Sequence, residues 1–154
     1  MKIRLLCVGK PREPSAARLH DEYAERLARL GVRYRTGHVA DVKPGGRFTL
    51  EHAREREAAT LGEQIEATGT IVALDERGDL LTSPELSEVI ERWCTPQLTL
   101  IVGGPSGLHS SILDRADRTW SLSRLTFPHE LCRALVTEQL YRALTIRRGI
   151  PYHK

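Results

Sequence analysis

The sequence predicts an α/β fold: one domain, residues 1–154, built on a largely parallel sheet with helices on both faces. Strand-like and helix-like segments alternate along the chain, without an internal repeat or a low-complexity linker, and this alternation is typical of parallel sheets. The segments IRLLCVG and LTLIVGG are almost wholly apolar, as expected of strands that are buried on both faces.

The first half of the chain contains two predicted strands and two predicted helices. The first strand covers residues 3–9, where apolar side chains precede a glycine. A helix follows the segment KPREP, and VRYRTGHVA is the second predicted strand. A second helix is predicted over 49–67 because a stripe of apolar residues recurs at helical spacing. The stripe consists of Leu50, Ala58, Leu61 and Ile65.

The third strand is predicted over residues 70–74, followed by a turn at Gly78. The helix after it has the clearest start signal of the chain. Pro84 stands at the first helical position. Thr82 and Glu85 are three residues apart, which is the spacing of a capping box.

A fourth strand, LTLIVGG, a fifth, RTWSLS, and a long helix over 128–148 complete the predicted fold. Ligands of parallel sheets bind outside the carboxyl ends of the strands. We therefore expect three loops to form the functional site. They are the loop after Leu74, the glycine loop at 103–104 and the loop SLSRLTF.

Composition narrows the classes of function only slightly. The net charge of +3, with Arg more frequent than Lys, permits a nucleic-acid partner without requiring one. The chain has no run of 18 apolar residues and only one short apolar run at its start, so we expect no membrane span, no signal peptide and a cytoplasmic location. Its three cysteines are dispersed, which predicts neither a metal site nor a disulfide framework.

The glycine loop GGPSG follows the fourth strand. It lacks the Lys-Ser/Thr of a P-loop and the spacing of a dinucleotide fingerprint, which argues against a nucleotide hydrolase and a Rossmann site. Two interpretations remain. A ligand approaches the main chain at Gly103 and Gly104, so that Gly104→Val abolishes ligand binding with the fold retained, or a tight turn needs glycine for its backbone angles.

The loop SLSRLTF, residues 121–127, is unusually apolar for a connection between a strand and a helix. Its apolar side chains could form the wall of a pocket for a flat aromatic ring, whose edge the loop amides and carbonyls would bind. Alternatively, they fold under the sheet and complete the core.

Three C-terminal motifs carry a resemblance to a known family. IVGGPSGL, WSLSRLTFPHELCRALVTEQLYRA and the terminal PYHK together resemble the pseudouridine-N3 methyltransferases of 23S ribosomal RNA, the smallest members of the SPOUT class. The similarity extends over the whole chain, although residues 39–70 are generic and support it only by their length.

The resemblance implies a C-terminal trefoil knot, with S-adenosylmethionine as the methyl donor and no metal. In this family the knot brings the three loops into one pocket, and S-adenosylmethionine binds there in a bent conformation. The residues implied to bind it are Leu74, Gly103, Gly104, Leu122, Ser123, Arg124, Leu125, Thr126 and Phe127.

The implied reaction transfers a methyl group to N3 of a pseudouridine, from which a proton must leave. The candidates to assist it are His153, whose imidazole could accept a proton; Tyr152, which could stack on a base; and Arg133. A mobile terminal residue is the alternative for His153, and a solvated face or a phosphate contact is the alternative for Arg133. His129 could serve the pocket or cap the last helix.

The resemblance further implies a homodimer that acts on 23S rRNA in assembled ribosomes, with the last helix at the interface. Leu131, Leu135, Leu140, Leu144 and Ile146 exceed what one buried helical stripe needs, which fits burial on two sides. Arg147, Arg148 and Lys154 are candidate phosphate contacts, whereas Arg142 is expected to pair with Glu138, four residues earlier.

Two other functions remain open at this stage. A SPOUT methyltransferase that acts on transfer RNA would have the same pocket. A non-catalytic RNA-binding or ribosome-binding factor with this fold would bind no methyl donor, and its affinity for RNA would depend steeply on salt.

Overall fold

A computed structural model describes residues 1–46 and 48–153. Within them, five strands alternate with five helices: β1 (Lys2–Val8), α1 (Pro14–Arg29), β2 (Arg33–Val39), α2 (Leu50–Gln64), β3 (Thr70–Leu80), α3 (Ser83–Trp93), β4 (Leu98–Val102), α4 (Ser110–Arg115), β5 (Arg118–Ser121) and α5 (His129–Arg147).

The five strands form one sheet in the order β2-β1-β4-β3-β5, and every neighbouring pair is parallel. The connections from β1 to β2 and from β3 to β4 step in one direction across the sheet, whereas those from β2 to β3 and from β4 to β5 step in the other. Because such crossovers are right-handed, α1 and α3 cover one face, and α2 and α4 cover the opposite face. The predicted parallel sheet with helices on both faces is confirmed.

The core divides into two layers, and β1 contributes to both. Its residues Ile3, Leu5 and Cys7 pack in the layer that contains α1, α3 and α5. Its residues Leu6 and Val8 pack in the layer of α2 and α4, as the two-residue period of a strand requires. All five residues of β4 are buried, so the strand between β1 and β3 is covered on both faces.

The prediction for the third strand was wrong. Strand β3 continues to Leu80, and Gly78 lies inside it. The pairing with β5 shifts register between Leu74 and Asp79, so the intervening residues bulge out of the ladder. A Cβ atom at Gly78 would lie 2.7 Å from the main chain of Thr119. The glycine therefore permits close approach of two strands rather than a turn.

The predictions for three helices are confirmed with small changes. Helix α3 begins with the expected capping box of Thr82 and Glu85. Helix α5 extends over nearly all of its predicted range and packs against α1 and α3. The stripe of α2 is correct for Ala58, Leu61 and Ile65. It is wrong for Leu50, which begins the helix and is exposed. The trefoil knot stays a prediction.

Candidate active site

A cavity of about 720 Å³ lies at the carboxyl ends of β3, β4 and β5, and all three expected loops line it. The residues implied by the family resemblance that line this cavity are Leu74, Gly103, Gly104, Leu122, Ser123, Leu125, Thr126 and Phe127. Arg124 is exposed and is not among the lining residues.

The glycine loop closes on itself immediately after β4. Gly107 donates its main-chain N–H to the carbonyl of Gly104 at 3.0 Å, and Gly107 has a φ of +76°, which favours glycine. A Cβ atom at Gly103 would lie 3.1 Å from the carbonyl carbon of Gly107, and one at Gly104 would lie 2.9 Å from Cγ1 of Val8.

These distances correct the expectation for Gly104→Val. The protein's own atoms already approach Gly103 and Gly104, so a side chain at Gly104 disturbs the buried Val8 whether or not a ligand is bound. The backbone-angle explanation applies to Gly107 instead, because neither Gly103 nor Gly104 has a positive φ.

The apolar loop between β5 and α5 both completes the core and forms part of the cavity wall. Leu122 packs against the core, whereas Leu125 is 73% exposed at the cavity. The hydroxyl of Ser121 donates to the carbonyl of Ser123 at 2.9 Å, and the Ser123 hydroxyl accepts from the N–H of Leu125 at 3.1 Å. These bonds give the loop a defined path past the cavity.

The bulge of β3 brings charged residues to the cavity that sequence analysis missed. Asp75, Glu76 and Arg77 all line it. Arg77 Nε donates to Asp75 Oδ1 at 3.0 Å, and this hydrogen bond lowers the pKa of Asp75 below its usual value. Gly78 was the available signal, because an isolated glycine in a strand often marks a bulge or a close backbone approach.

Arg54 reaches the cavity from α2. Its Nε donates to the carbonyl of Ser106 at 2.5 Å, which ties α2 to the glycine loop. The residue is 52 positions away from that contact in the sequence, and no motif indicates it.

His129 and Cys132, in the first turn of α5, also line the cavity. Partial burial lowers the pKa of His129, and the nearby guanidinium of Arg133 lowers it further. A lowered pKa keeps the imidazole neutral at neutral pH, and it also makes the imidazole a weaker base. His129 does not cap the helix: Pro128 is the N-cap residue, and the cap has no side-chain hydrogen bond.

A buried donor adjoins the same cavity. The indole Nε1 of Trp120 is buried without a hydrogen-bond partner among residues 1–46 and 48–153, and Trp120 lines the cavity. Buried polar groups are normally satisfied, so this donor is an exception; because the atom is buried, an acceptor of a bound molecule reaches it only if neighbouring side chains move.

Arg133 does not line the cavity. It is buried, and its Nη2 donates to the carbonyls of Val8 at 2.8 Å and Gly9 at 2.6 Å. These bonds attach the start of α5 to the end of β1, at a residue four positions after His129 in the chain.

The described part of the C-terminal tail, residues 149–153, follows α5, and none of these residues lines the cavity of their own chain. The hydroxyl of Tyr152 bonds to Glu138 Oε1 and to the hydroxyl of Tyr23, each at 2.9 Å. Burial and these bonds raise the pKa of Tyr152. His153 is exposed.

The basic residues near the C-terminus make contacts within the chain. Arg142 pairs with Glu138, as predicted, with its Nε donating to Oε1 at 2.9 Å. Arg147 pairs with Glu91 at 2.9 Å, and Arg148 donates to the carbonyl of Leu30 at 2.6 Å. Lys154 lies outside the described residues.

Two kinds of feature are absent from the described residues. No helix there is both long and apolar enough to cross a membrane. Among the same residues, no group of three or more His, Cys, Asp or Glu side chains is placed to hold a metal ion.

Comparison with known proteins places the chain among methyltransferases. Residues 1–153 match a family described as "Predicted SPOUT methyltransferase". The chain is 39% identical over 156 residues to a ribosomal RNA large subunit methyltransferase H from an Anaeromyxobacter species. It is 41% identical over 157 residues to the protein of that name from Anaeromyxobacter dehalogenans. Each alignment covers 100% of both chains.

A solved structure shares the fold at much lower sequence similarity. The structure of a probable methylase family protein from Haemophilus influenzae is 13% identical and has a TM-score of 0.56. The match covers 99% of this chain and 70% of that one.

Proposed function

Since this chain belongs to the SPOUT methyltransferase family, we propose that it transfers a methyl group from S-adenosylmethionine to N3 of a pseudouridine in 23S ribosomal RNA. Its similarity over the full length of two ribosomal RNA large subunit methyltransferases carries this proposal. We further propose that residues 1–154 form one catalytic domain that works on ribosomes in the cytoplasm.

The cavity at the carboxyl edge fits the methyl donor. Its volume of about 720 Å³ is within the range of small-molecule sites, and it offers apolar walls and loop main chain. S-adenosylmethionine supplies an already activated methyl group, so the protein chiefly has to orient donor and acceptor. The binding residues proposed are the loop residues predicted from the sequence, of which Arg124 has the least support.

His129 is proposed to accept the N3 proton or to hold the water that does. It lines the cavity, and its lowered pKa keeps it neutral. Arg133 is then a positioning residue, because its hydrogen bonds to Val8 and Gly9 fix the helical turn that carries His129. Neither role requires a metal.

We propose a homodimer in which the tail of one subunit serves the cavity of the other. Tyr152 and His153 lie beside the middle of α5, away from the cavity of their own chain. If they contact the RNA at the reaction centre, they do so in a partner. Leu131, Leu135 and Ile146 are only half-buried in the single chain, which supports a second packing surface on α5.

Incubation of the purified protein with labelled S-adenosylmethionine and ribosomes that lack the modification tests the function. We expect one methyl group per ribosome, at N3 of a pseudouridine in 23S rRNA. Transfer RNA, offered in parallel, tests the second candidate. Donor binding followed by methylation of transfer RNA alone would contradict the proposed substrate, and absence of donor binding would favour the non-catalytic factor.

A further inference from the structure

Four cations form an array at the amino ends of β1 and β2. Lys2 is in register with Arg33, and Arg4 is in register with Arg35. Register partners in a sheet project from the same face, with the strands about 4.8 Å apart and the next pair about 6.6 Å further along. These four residues line a groove of about 180 Å³, which we call the basic groove; Ile3, Glu66 and Gln97 complete it.

The charges of the basic groove are poorly compensated. Arg4 donates to the carbonyl of Gln64 at 2.7 Å and lies 3.5 Å from the carboxylate of Glu66. The exposed side chains of Lys2, Arg33 and Arg35 make no hydrogen bond or ion pair with any residue in 1–46 or 48–153. Like charges directly opposite each other on neighbouring strands destabilise a sheet, so the array has a cost in the isolated protein.

Protection of a sheet edge explains only half of the array. Strand β2 is an edge strand, and charges on such strands prevent pairing with other chains. This accounts for Arg33 and Arg35. Strand β1, however, lies between β2 and β4, so Lys2 and Arg4 protect no edge. Arg4 has partners within the chain in Gln64 and Glu66, but the charges of Lys2, Arg33 and Arg35 remain for an anionic partner to balance.

We propose that the basic groove binds phosphates of the RNA substrate, as a contact surface separate from the cavity. The inference rests on the proposed function. The spacing of the cations resembles the separation of successive phosphates along a nucleic-acid strand, and guanidinium groups bind phosphate oxygens in a bidentate manner. Phosphate contacts carry no sequence information, so the groove contributes affinity and orientation rather than selection of the base.

The position of the groove determines how large an RNA must be to contact the groove and the cavity at the same time. Strand β1 has seven residues and spans roughly 20 Å. The groove is at its amino end, whereas the cavity is at the carboxyl edge of the sheet. Only an RNA large enough to extend along the sheet reaches both, which predicts that folded rRNA uses the groove and a short oligonucleotide does not.

The test compares two double variants with the same change in net charge. Arg33→Gln/Arg35→Gln removes half of the groove. Arg18→Gln/Arg92→Gln is the control, because both residues are exposed on helices of the other face and neither side chain makes a hydrogen bond or ion pair within the described residues. Binding to a 23S rRNA transcript and to a short oligonucleotide with the target base is measured at several salt concentrations.

For the groove variant we expect the slope of log affinity against log salt to fall by roughly 1.4–1.8, since two phosphate contacts are lost. The affinity for the transcript should fall about fivefold to tenfold, whereas binding of the oligonucleotide and of S-adenosylmethionine is unchanged. The melting temperature should stay the same or rise, because a repulsion is relieved. The substitutions Arg33→Lys/Arg35→Lys should restore most of the transcript affinity.

Each outcome separates this proposal from the proposed function. Equal loss in both double variants, or no loss in either, overturns the groove even if the parent protein methylates ribosomes. A groove-dependent affinity for the transcript in a protein that transfers no methyl group supports the groove and contradicts the enzyme. Retention on vesicles of acidic lipid, with no effect on the transcript, assigns the groove to a membrane surface and overturns the proposal.

Discussion

At the scale of single residues, Gly104 shows how one position serves both the fold and the site. Its main chain lines the cavity, while the space for a side chain is occupied by Val8, which is 1% exposed. Gly62, in α2, has no such constraint, because a Cβ atom there would be 3.6 Å from Arg115 Nη1, an ordinary contact.

These two glycines give opposite predictions. We expect Gly104→Ala to lower the free energy of unfolding by about 1–3 kcal/mol, since a buried contact becomes too short, and to weaken binding of S-adenosylmethionine. Gly62→Ala should raise the free energy of unfolding by about 0.5–1 kcal/mol, because alanine is the better helix former. It should have no effect on binding of S-adenosylmethionine. Denaturant unfolding and calorimetry measure both. A stable Gly104→Ala protein with parental affinity would contradict the packing argument.

At the scale of elements, α3 illustrates a helix whose start is fixed locally and which lies apart from the cavity. The N–H of Thr82 donates to Glu85 Oε2 at 2.7 Å, and the Thr82 hydroxyl accepts from the N–H of Glu85 at 3.4 Å. The Thr82 hydroxyl also donates to Glu85 Oε2. The bond from the main-chain N–H of Thr82 is the larger cause, and the bond from its hydroxyl the smaller, that lower the pKa of Glu85 below its ordinary 4.5. The stabilisation from this carboxylate is therefore present above pH 4.5 and is lost as the pH falls through the lowered pKa.

We expect Thr82→Ala to reduce the free energy of unfolding by about 1 kcal/mol at neutral pH, because the helix loses its cap. The difference from the parent protein should shrink as the pH falls below the pKa of Glu85. Binding of S-adenosylmethionine should not change, since no residue of α3 lines the cavity. Thr82→Ser, which keeps the hydroxyl, is the matched control in urea unfolding. A loss of donor affinity in Thr82→Ala would link α3 to the site and contradict this.

At the scale of the whole molecule, the sheet separates two surfaces. The cavity lies at the carboxyl ends of β3, β4 and β5, and the basic groove lies at the amino ends of β1 and β2. Tyr152, in the described part of the tail, lies beside α5, and none of residues 149–153 lines either surface. A tail that takes part in the reaction therefore requires a second subunit.

Mixed dimers test this arrangement. Thr126→Trp fills the cavity from an exposed loop position, and His153→Ala removes the tail imidazole. We expect each variant alone to be inactive in methyl transfer. Co-expression in equal amounts should recover about a quarter of the parental activity, because half of the dimers are mixed and each holds one intact site. An inactive mixture whose subunits do exchange would show that the tail acts within its own chain.

The sequence by itself determined the parallel sheet, the order of its elements and the three loops that meet at its edge. These features follow from apolar periodicity and from capping residues such as Thr82, which act over a few neighbouring positions. The same patterns indicated the glycine loop, although not which atoms crowd Gly104.

Only the tertiary structure decided which charged groups share the cavity and the groove. Asp75 and Arg77 enter the cavity because β3 slips by several residues against β5, and Arg54 enters from a helix 52 positions before its partner Ser106. Lys2 and Arg33 become neighbours through strand register alone. Such contacts arise between segments that are distant along the chain, and a local pattern holds no record of which segments will be adjacent.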